Sequence, residues 1–300
     1  MVVIILAAGY ATRLYPLTLD TPKALLPIGS ITMLDHIIEK IHEIEDVTQI
    51  VVISNARFYG QFVEWLDSRG RATVPGYSAI GCGTQTGGFV DQAGGFGAQL
   101  AGSGTQLAGS GAQLAGSGGK SEPEILLLND GTTSEDTRLG AIGDISYALR
   151  ELSIDNDVMI IAGDNFFTFK LIDFYNFYKK IGADCIVVKK LADHSALKSV
   201  GVAVVAPDLK VVEFEEKPAN PKSDLAVYAS YIYKRDTLPL FQAYLDEGNH
   251  KDAPGYFPAW LCKRKPVYAY YFDGDCYDIG TPEAYADICG RYADICGQIS

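Results

Sequence analysis

The chain has 300 residues, 48% of them hydrophobic, with a formal net charge of −12 and a pI near 4.8. That length supports a substantial core, in one large α/β domain or two smaller ones. The acidity argues against bulk binding to nucleic acid or to an anionic membrane, because both reward a basic face; an anionic ligand would need local positive charge or a metal.

Residues 2–6 form a continuous apolar run, β-branched from Val2 to Ile5, the pattern of a central strand covered on both faces. The apolar start lacks a basic leader and is too short for a signal peptide or a membrane span. Residues 33–45 place Leu34, Ile37, Ile38, Ile41 and Ile44 at helical spacing, and residues 50–53 read as the next strand. Phe58, Phe62, Trp65 and Leu66 mark a second amphipathic helix. Strands are expected at 125–128, 158–162 and 185–188, with helices near 139–152 and 171–181. This alternation predicts a mostly parallel, Rossmann-like α/β sheet with helices on both faces. Past residue 200 the pattern changes. Residues 201–205 and 211–214 flank Pro207-Asp208, a hairpin turn, and further strands at 227–233 and 267–272 enclose helices near 237–246 and 255–263. The second half is expected to extend the sheet as a mixed, antiparallel part, making residues 1–300 one domain.

Residues 72–122 break this rhythm. Between Arg71 and Lys120 the only charged residue is Asp91, and about half of the 31 glycines lie there. AQLAGSG, TQLAGSG and AQLAGSG run head to tail over residues 98–118. The Gly-Ser-Gly in every repeat rules out a coiled coil, so a loosely packed insert in a surface loop is expected. The recurrence of Leu100, Leu107 and Leu114 leaves a small solenoid-like or self-associating element as the alternative. YADICG at 285–290 recurs at 292–297, and such repeats leave open an artificial origin for the chain. The six cysteines, at 82, 185, 262, 276, 289 and 296, form no CxxC pair and no zinc-finger spacing. Buried, reduced thiols and a cytoplasmic location are the expectation.

The chemistry concentrates in LAAGYATRLYPLTLDTPKALLPI, residues 6–28. A strand running into Ala7-Ala8-Gly9 brings bare backbone to the carboxyl edge of the sheet, where open α/β sheets bind ligands and where small side chains let a phosphate or a base reach main-chain N–H groups. Arg13 offers a planar, permanently charged fork for phosphate oxygens, and Lys23 adds a compact charge on a path stiffened by Pro22 and Pro27. Taken alone, the same residues could be a tight turn with two surface cations. Common alternatives fail. The P-loop pattern ending at Gly119-Lys120-Ser121 has Leu114 at its required first glycine, no GxGxxG follows a strand, and the four histidines make no HExxH.

Leu6-Ala7-Ala8-Gly9-x-x-Thr12-Arg13-Leu14-x-Pro16-Leu17-Thr18, followed by Pro22-Lys23-x-Leu25-Leu26-Pro27-Ile28, resembles the signature of sugar-phosphate nucleotidylyltransferases, glucose-1-phosphate thymidylyltransferase and uridylyltransferase among them. The resemblance covers most of the chain outside 72–122. It implies transfer of a nucleotidyl group from a nucleoside triphosphate to a sugar-1-phosphate. Leu6, Ala7, Ala8, Gly9 and Thr12 would hold the nucleotide, while Arg13 and Lys23 grip its phosphates. IIAGDNFF resembles the strand whose Asp binds Mg²⁺, here Asp164, and YDIGTPEAY the late motif with a second carboxylate, here Asp278. FEEKP resembles the segment that holds the sugar phosphate, which points to Glu216 and Lys217; Gly140 and Gly201 match positions where backbone meets nucleotide and sugar. Read without the resemblance, Asp164 fits a strand-end turn, Glu216-Lys217 a solvated turn, and Asp278 a cap for a helix beginning near Thr281. Homo-oligomers are common among such relatives.

Two departures stand out. Ala11 occupies a position that is often glycine in the family, and Ala24 stands where the thymidine and uridine enzymes carry a base-reading glutamine; Asn129 is a candidate substitute reader. The competing functions are activation of another small phosphate, such as phosphocholine, and a non-catalytic nucleotide-sugar binder.

Overall fold

The computed structural model describes residues 1–69 and 122–292, which belong to one compact unit. Apart from Glu122, the expected insert at 72–122 lies outside the described residues, as does the second YADICG copy beyond Tyr292.

The sheet grows outward from β1 (Val2–Leu6). After the opening loop come a short hairpin, β2 (Pro27–Ile28) with β3 (Ile31–Thr32), and α1 (Met33–His42). Thr32 and Asp35 cap α1 reciprocally: the Asp35 N–H donates to Thr32 Oγ1 at 3.1 Å and the Thr32 N–H to Asp35 Oδ2 at 2.9 Å. β4 (Gln49–Ser54), α2 (Tyr59–Ser68), β5 (Glu124–Asn129), α3 (Ala141–Glu151) and β6 (Val158–Ala162) follow. The strands β5-β4-β1-β6 are all parallel neighbours, with α1 and α2 on one face and α3 on the other.

Beyond β6 the sheet becomes mixed, as the changed pattern after residue 200 predicts. β7 (Asn165–Phe167), α4 (Leu171–Ile181) and β8 (Asp184–Lys190) lead to the antiparallel hairpin of β9 (Gly201–Val205) and β10 (Val211–Glu216). The nine-residue β11 (Leu225–Tyr233) runs antiparallel to β6, β8 and β9, with a register shift between Tyr228 and Tyr231 that lets it serve several neighbours. α5 (Pro239–Asp246), α6 (Tyr256–Leu261), β12 (Val267–Tyr271), β13 (Cys276–Asp278) and α7 (Pro282–Tyr292) complete the order. β12 pairs parallel with β8 and closes the nine-stranded sheet.

Side-chain alternation along β1 divides the core in two. Val3 and Ile5 pack with Leu34, Phe62 and Phe174, whereas Val2 and Ile4 pack with Ile142, Phe241 and Phe257. The sequence pattern did not predict the two-stranded sheet of β7 and β13, which lies outside the main sheet. Three residues on each side are too few to show a period. Of the four described thiols, Cys185 is buried and Cys262, Cys276 and Cys289 are half-buried; all are free. No helix among the described residues is long and apolar enough to cross a membrane.

Candidate active site

A cleft of about 300 Å³ opens at the carboxyl edge of the parallel strands. Its floor is the end of β1 and the loop after it. The Ala7 N–H continues the sheet to Ile53 O at 2.9 Å, and the Ala8 carbonyl accepts from Asn55 Nδ2 at 3.0 Å. Thr18, fully buried, donates through Oγ1 to Ala11 O at 2.8 Å and draws the loop back on itself. Ala11 adopts a left-handed conformation, φ 47° and ψ 41°. That region is costly for any residue with a Cβ, so a glycine would occupy this position with less strain. A Cβ placed on Gly9 would meet nothing within 4 Å, so its bareness leaves room in the cleft and answers no packing demand.

One wall carries the charges. The β7–β13 register sets Asp278 opposite Asn165, directly beside Asp164. Lys23, only 7% exposed, lies between the two acids, with Nζ 3.1 Å from Asp164 Oδ2 and 3.3 Å from Asp278 Oδ1. The carboxylates are half open to solvent, with side-chain exposures of 50% and 62%. The 3₁₀ turn of residues 23–25, entered from extended Pro22, places Lys23 here while Ala24 packs into the core. Thr281 caps α7 by accepting from the Ala284 N–H, leaving the Asp278 side chain free of that duty. His36 braces β7 from α1: its Nε2 donates to Phe167 O at 2.6 Å and its ring stacks on Phe166. Burial lowers its pKa to about 4, so the ring is neutral. Gly163 joins β6 to β7 so tightly against β1 that a Cβ would lie 2.8 Å from Leu6 O. Arg13 stands exposed on the rim, and among the described residues it makes no hydrogen bond or ion pair.

The opposite wall is the start of α3. Gly140, φ +80°, lies so close to the chain that a Cβ would come within 2.6 Å of Lys251 O. The Ala141 and Ile142 N–H groups donate to Asp252 O and Lys251 O, which occupies part of the helix N-terminus. Arg138 pairs with Glu135 at 2.7 Å and Asp252 at 3.0 Å on the same wall. Beneath them Asp144 is 6% exposed, and its Oδ1 has no hydrogen-bond partner among the described residues. Desolvation first, and then the neighbouring Asp130, raise its pKa to about 8. Asp130, also buried and raised by desolvation, accepts from the Thr132 N–H and hydroxyl.

The structure therefore gathers Leu6, Ala7, Ala8, Gly9, Thr12, Arg13, Lys23, Gly140, Asp164 and Asp278 around one cleft. Four predicted residues do not line it. Asn129 Oδ1 accepts from the Gly131 N–H at 2.9 Å, an Asx turn within its own loop. Glu216 lies against Gly201, and a Cβ at Gly255 would overlap its carboxylate. Desolvation raises the Glu216 pKa, with Lys217 opposing. Lys217 is exposed at φ 48°. The group adjoins the cleft through Pro254, which lines it next to Gly255. Sequence reasoning missed Asn55, His36, Gly163, Glu135, Arg138, Asp144 and Asp252. Of these only Gly163, beside Asp164 at a strand end, carried a readable signal.

No group of three or more metal-binding side chains occurs among the described residues. The donors present nevertheless suit Mg²⁺, a hard cation commonly held by one or two carboxylates plus substrate phosphates. The ammonium of Lys23 between Asp164 and Asp278 is an observed cation at that locus.

A family model described as nucleotidyl transferase matches residues 2–79 and 115–294. Its two matched stretches leave out 80–114, inside the predicted insert. A glucose-1-phosphate adenylyltransferase from Thermomicrobium roseum is 32% identical over 136 residues, 43% of this chain and 31% of the relative. One of the same description from Clostridium acetobutylicum is 31% identical over 127 residues, 41% of this chain and 33% of the relative. The matches thus span about a third of these relatives' length. Among solved structures, a Bacillus anthracis protein assigned as a glucose-1-phosphate thymidylyltransferase, in complex with a sucrose, superposes with a TM-score of 0.69 at 20% identity, covering 98% of this chain and 96% of that one. A UDP-glucose pyrophosphorylase complexed with UDP-glucose gives a TM-score of 0.68 at 17% identity, covering 98% of each. These two likenesses establish the fold.

Proposed function

The chain belongs to the nucleotidyl transferase family, and from that premise we propose that it transfers a nucleotidyl group from a nucleoside triphosphate to a sugar-1-phosphate. A phosphate oxygen of the sugar attacks the α-phosphorus, the bond to the β-phosphate breaks, and pyrophosphate leaves. The observation that carries the reading is one cleft holding bare backbone, an unpaired Arg13, and Lys23 set between Asp164 and Asp278.

Both reactants are anions, so positioning and electrostatics carry the catalysis. The main chain at Leu6 to Gly9 lets phosphate or base lie close, and Thr12 borders the same space. Arg13 binds charge on the α-phosphate and the departing pyrophosphate as a planar donor fork. Lys23 clamps the attacking phosphate or the α-phosphate. Asp164 and Asp278 would hold Mg²⁺, the divalent ion on which the family's mechanism depends, and it supplies neutralisation of phosphate charge. Glu216 and Lys217, with Gly201, hold the sugar phosphate from the β9–β10 side. Gly140 brings the start of α3 to the nucleotide. No side chain acts as a nucleophile.

The relatives' descriptions share glucose and differ in base, so glucose-1-phosphate is the first acceptor to test and the base is tested as a panel. The experiment is pyrophosphate release across four nucleoside triphosphates and a set of sugar phosphates and phosphocholine. Release that needs both a triphosphate and a sugar phosphate is expected. Release only with phosphocholine, or nucleotide-sugar binding without release under any pairing, overturns the proposal.

A further inference from the structure

The position of Lys23 implies more than a role in gripping phosphate. Its ammonium touches one oxygen from each of the two acids at the cleft wall. It is an almost buried charge whose nearest counter-charges are those two carboxylates. A cation bridging Asp164 Oδ2 and Asp278 Oδ1 would have to enter where this nitrogen lies. Two cations side by side between two carboxylates repel each other, and the burial of Lys23 leaves its ammonium little water to screen that repulsion. With Lys23 in place, the pair attracts a strongly hydrated divalent ion less than two free carboxylates would. Across the cleft rim Arg13 already adds positive charge, and no third acid joins the pair among the described residues.

From this arrangement we infer that Lys23 and the divalent ion exclude one another from the carboxylate pair until a nucleotide's phosphates draw the lysine away. The inference rests on the reading of Asp164 and Asp278 as metal ligands. In the absence of nucleotide the lysine acts as the resident cation. A triphosphate offers Lys23 another set of anionic oxygens, frees the two acids, and adds its own oxygens to the metal's shell. Metal and nucleotide are thereby coupled in binding, and the coupling is reciprocal: each raises the affinity of the other by the same factor. The lysine also keeps the acids from repelling each other in the unliganded protein, which holds β7 and β13 in register.

The test uses the full chain and Mn²⁺ as the probe, followed by electron paramagnetic resonance of the free ion and by water-proton relaxation of the bound ion. Wild-type protein without nucleotide is expected to bind Mn²⁺ weakly, and an unreactive α,β-methylene triphosphate should tighten binding about tenfold or more beyond what the nucleotide alone accounts for. Lys23→Met keeps the length of the buried stem without its charge and should bind Mn²⁺ about tenfold more tightly than wild type with no nucleotide present. Lys23→Arg restores a cation and should again exclude the ion. Adding Asp164→Asn to Lys23→Met should remove the gained binding. If nucleotide-free wild type binds Mn²⁺ as tightly as Lys23→Met, and Asp164→Asn abolishes both, the metal ligands stand and the exclusion is wrong. If Mn²⁺ binding is indifferent to Asp164→Asn with and without nucleotide, the metal reading itself falls. Should Lys23→Met not fold, the wild-type measurement alone decides: tight Mn²⁺ binding without nucleotide, lost in Asp164→Asn, overturns the inference.

Discussion

Asp164 and Asp278 on the charged wall, and Asp144 on the α3 wall with Asp130 behind it, are two pairs of aspartates that meet opposite fates. Asp164 and Asp278 are half exposed and share the Lys23 ammonium. Asp130 and Asp144 are almost fully buried, and the hydrogen bonds to that pair come from Thr132, on Asp130. There desolvation and mutual repulsion favour a proton, and the Asp144 pKa rises to about 8. The same side chain is thus a usable charge on one wall and a suppressed one on the other. Solvent and a counter-ion decide which, and neither is visible in residue identity.

The largest expected effect comes from breaking the charged wall. Asp164→Asn, Lys23→Ala and Arg13→Ala are each expected to lower kcat/KM for pyrophosphate release by about a hundredfold or more, the scale for losing one preorganised stabilising group. Asp164→Asn should also flatten the dependence of rate on Mg²⁺ concentration. Near-normal turnover in any one of them removes that residue from the mechanism.

This contrast also marks what was legible in the sequence. β1 and α4 were readable because their patterns are uninterrupted: 2–6 as an apolar, mostly β-branched run and 171–181 as a helix. Arg13, Lys23, Asp164 and Asp278 were legible through resemblance to one ordered signature. The reason Asp164 and Asp278 meet was not: it is a three-residue pairing of β7 with β13 across more than a hundred positions of chain. Lys23 reads as a surface cation beside two prolines, and its burial depends on β7, β13 and the 3₁₀ turn assembling together. Asp144 sits in a helix as an ordinary polar residue, and only the packing of α3 over the end of β5 makes it a buried acid. Asn129 looked like a base reader because it ends a strand, yet its side-chain oxygen closes its own turn.

A middle-sized effect is expected on the suppressed wall. Between about pH 4 and pH 8 the folded chain holds a proton on Asp144 that the unfolded chain has released, so stability falls as pH rises through that window. Asp144→Asn supplies a neutral side chain of the same shape and an amide donor facing Asp130. Its Tm should exceed that of wild type by little at pH 5 and by more at pH 8, with about 3 °C for each kcal/mol recovered. A Tm gain that is equal at both pH values, or a loss at pH 8, would mean that Asp144 carries its charge in the folded protein and that the two walls do not differ as described.

The smallest effect belongs to the loop that joins the walls. Ala11 holds a left-handed backbone, which costs a residue with a Cβ about 1–2 kcal/mol. Ala11→Gly removes that strain, while the freer unfolded chain returns about 0.4–1 kcal/mol of it. The net expectation is a rise in Tm of at most a few degrees. The methyl also borders the cleft, so KM for the triphosphate should fall modestly with kcat unchanged. That split matters because the loop is anchored through main-chain carbonyls and without the Ala11 methyl: Thr18 donates to the Ala11 carbonyl and Asn55 to the Ala8 carbonyl. With those anchors intact, relief at one φ angle leaves Arg13 and Lys23 where they are, and only the space for phosphate changes. A drop in kcat would show instead that the strained turn itself sets the position of Arg13, and that the two walls communicate through residue 11.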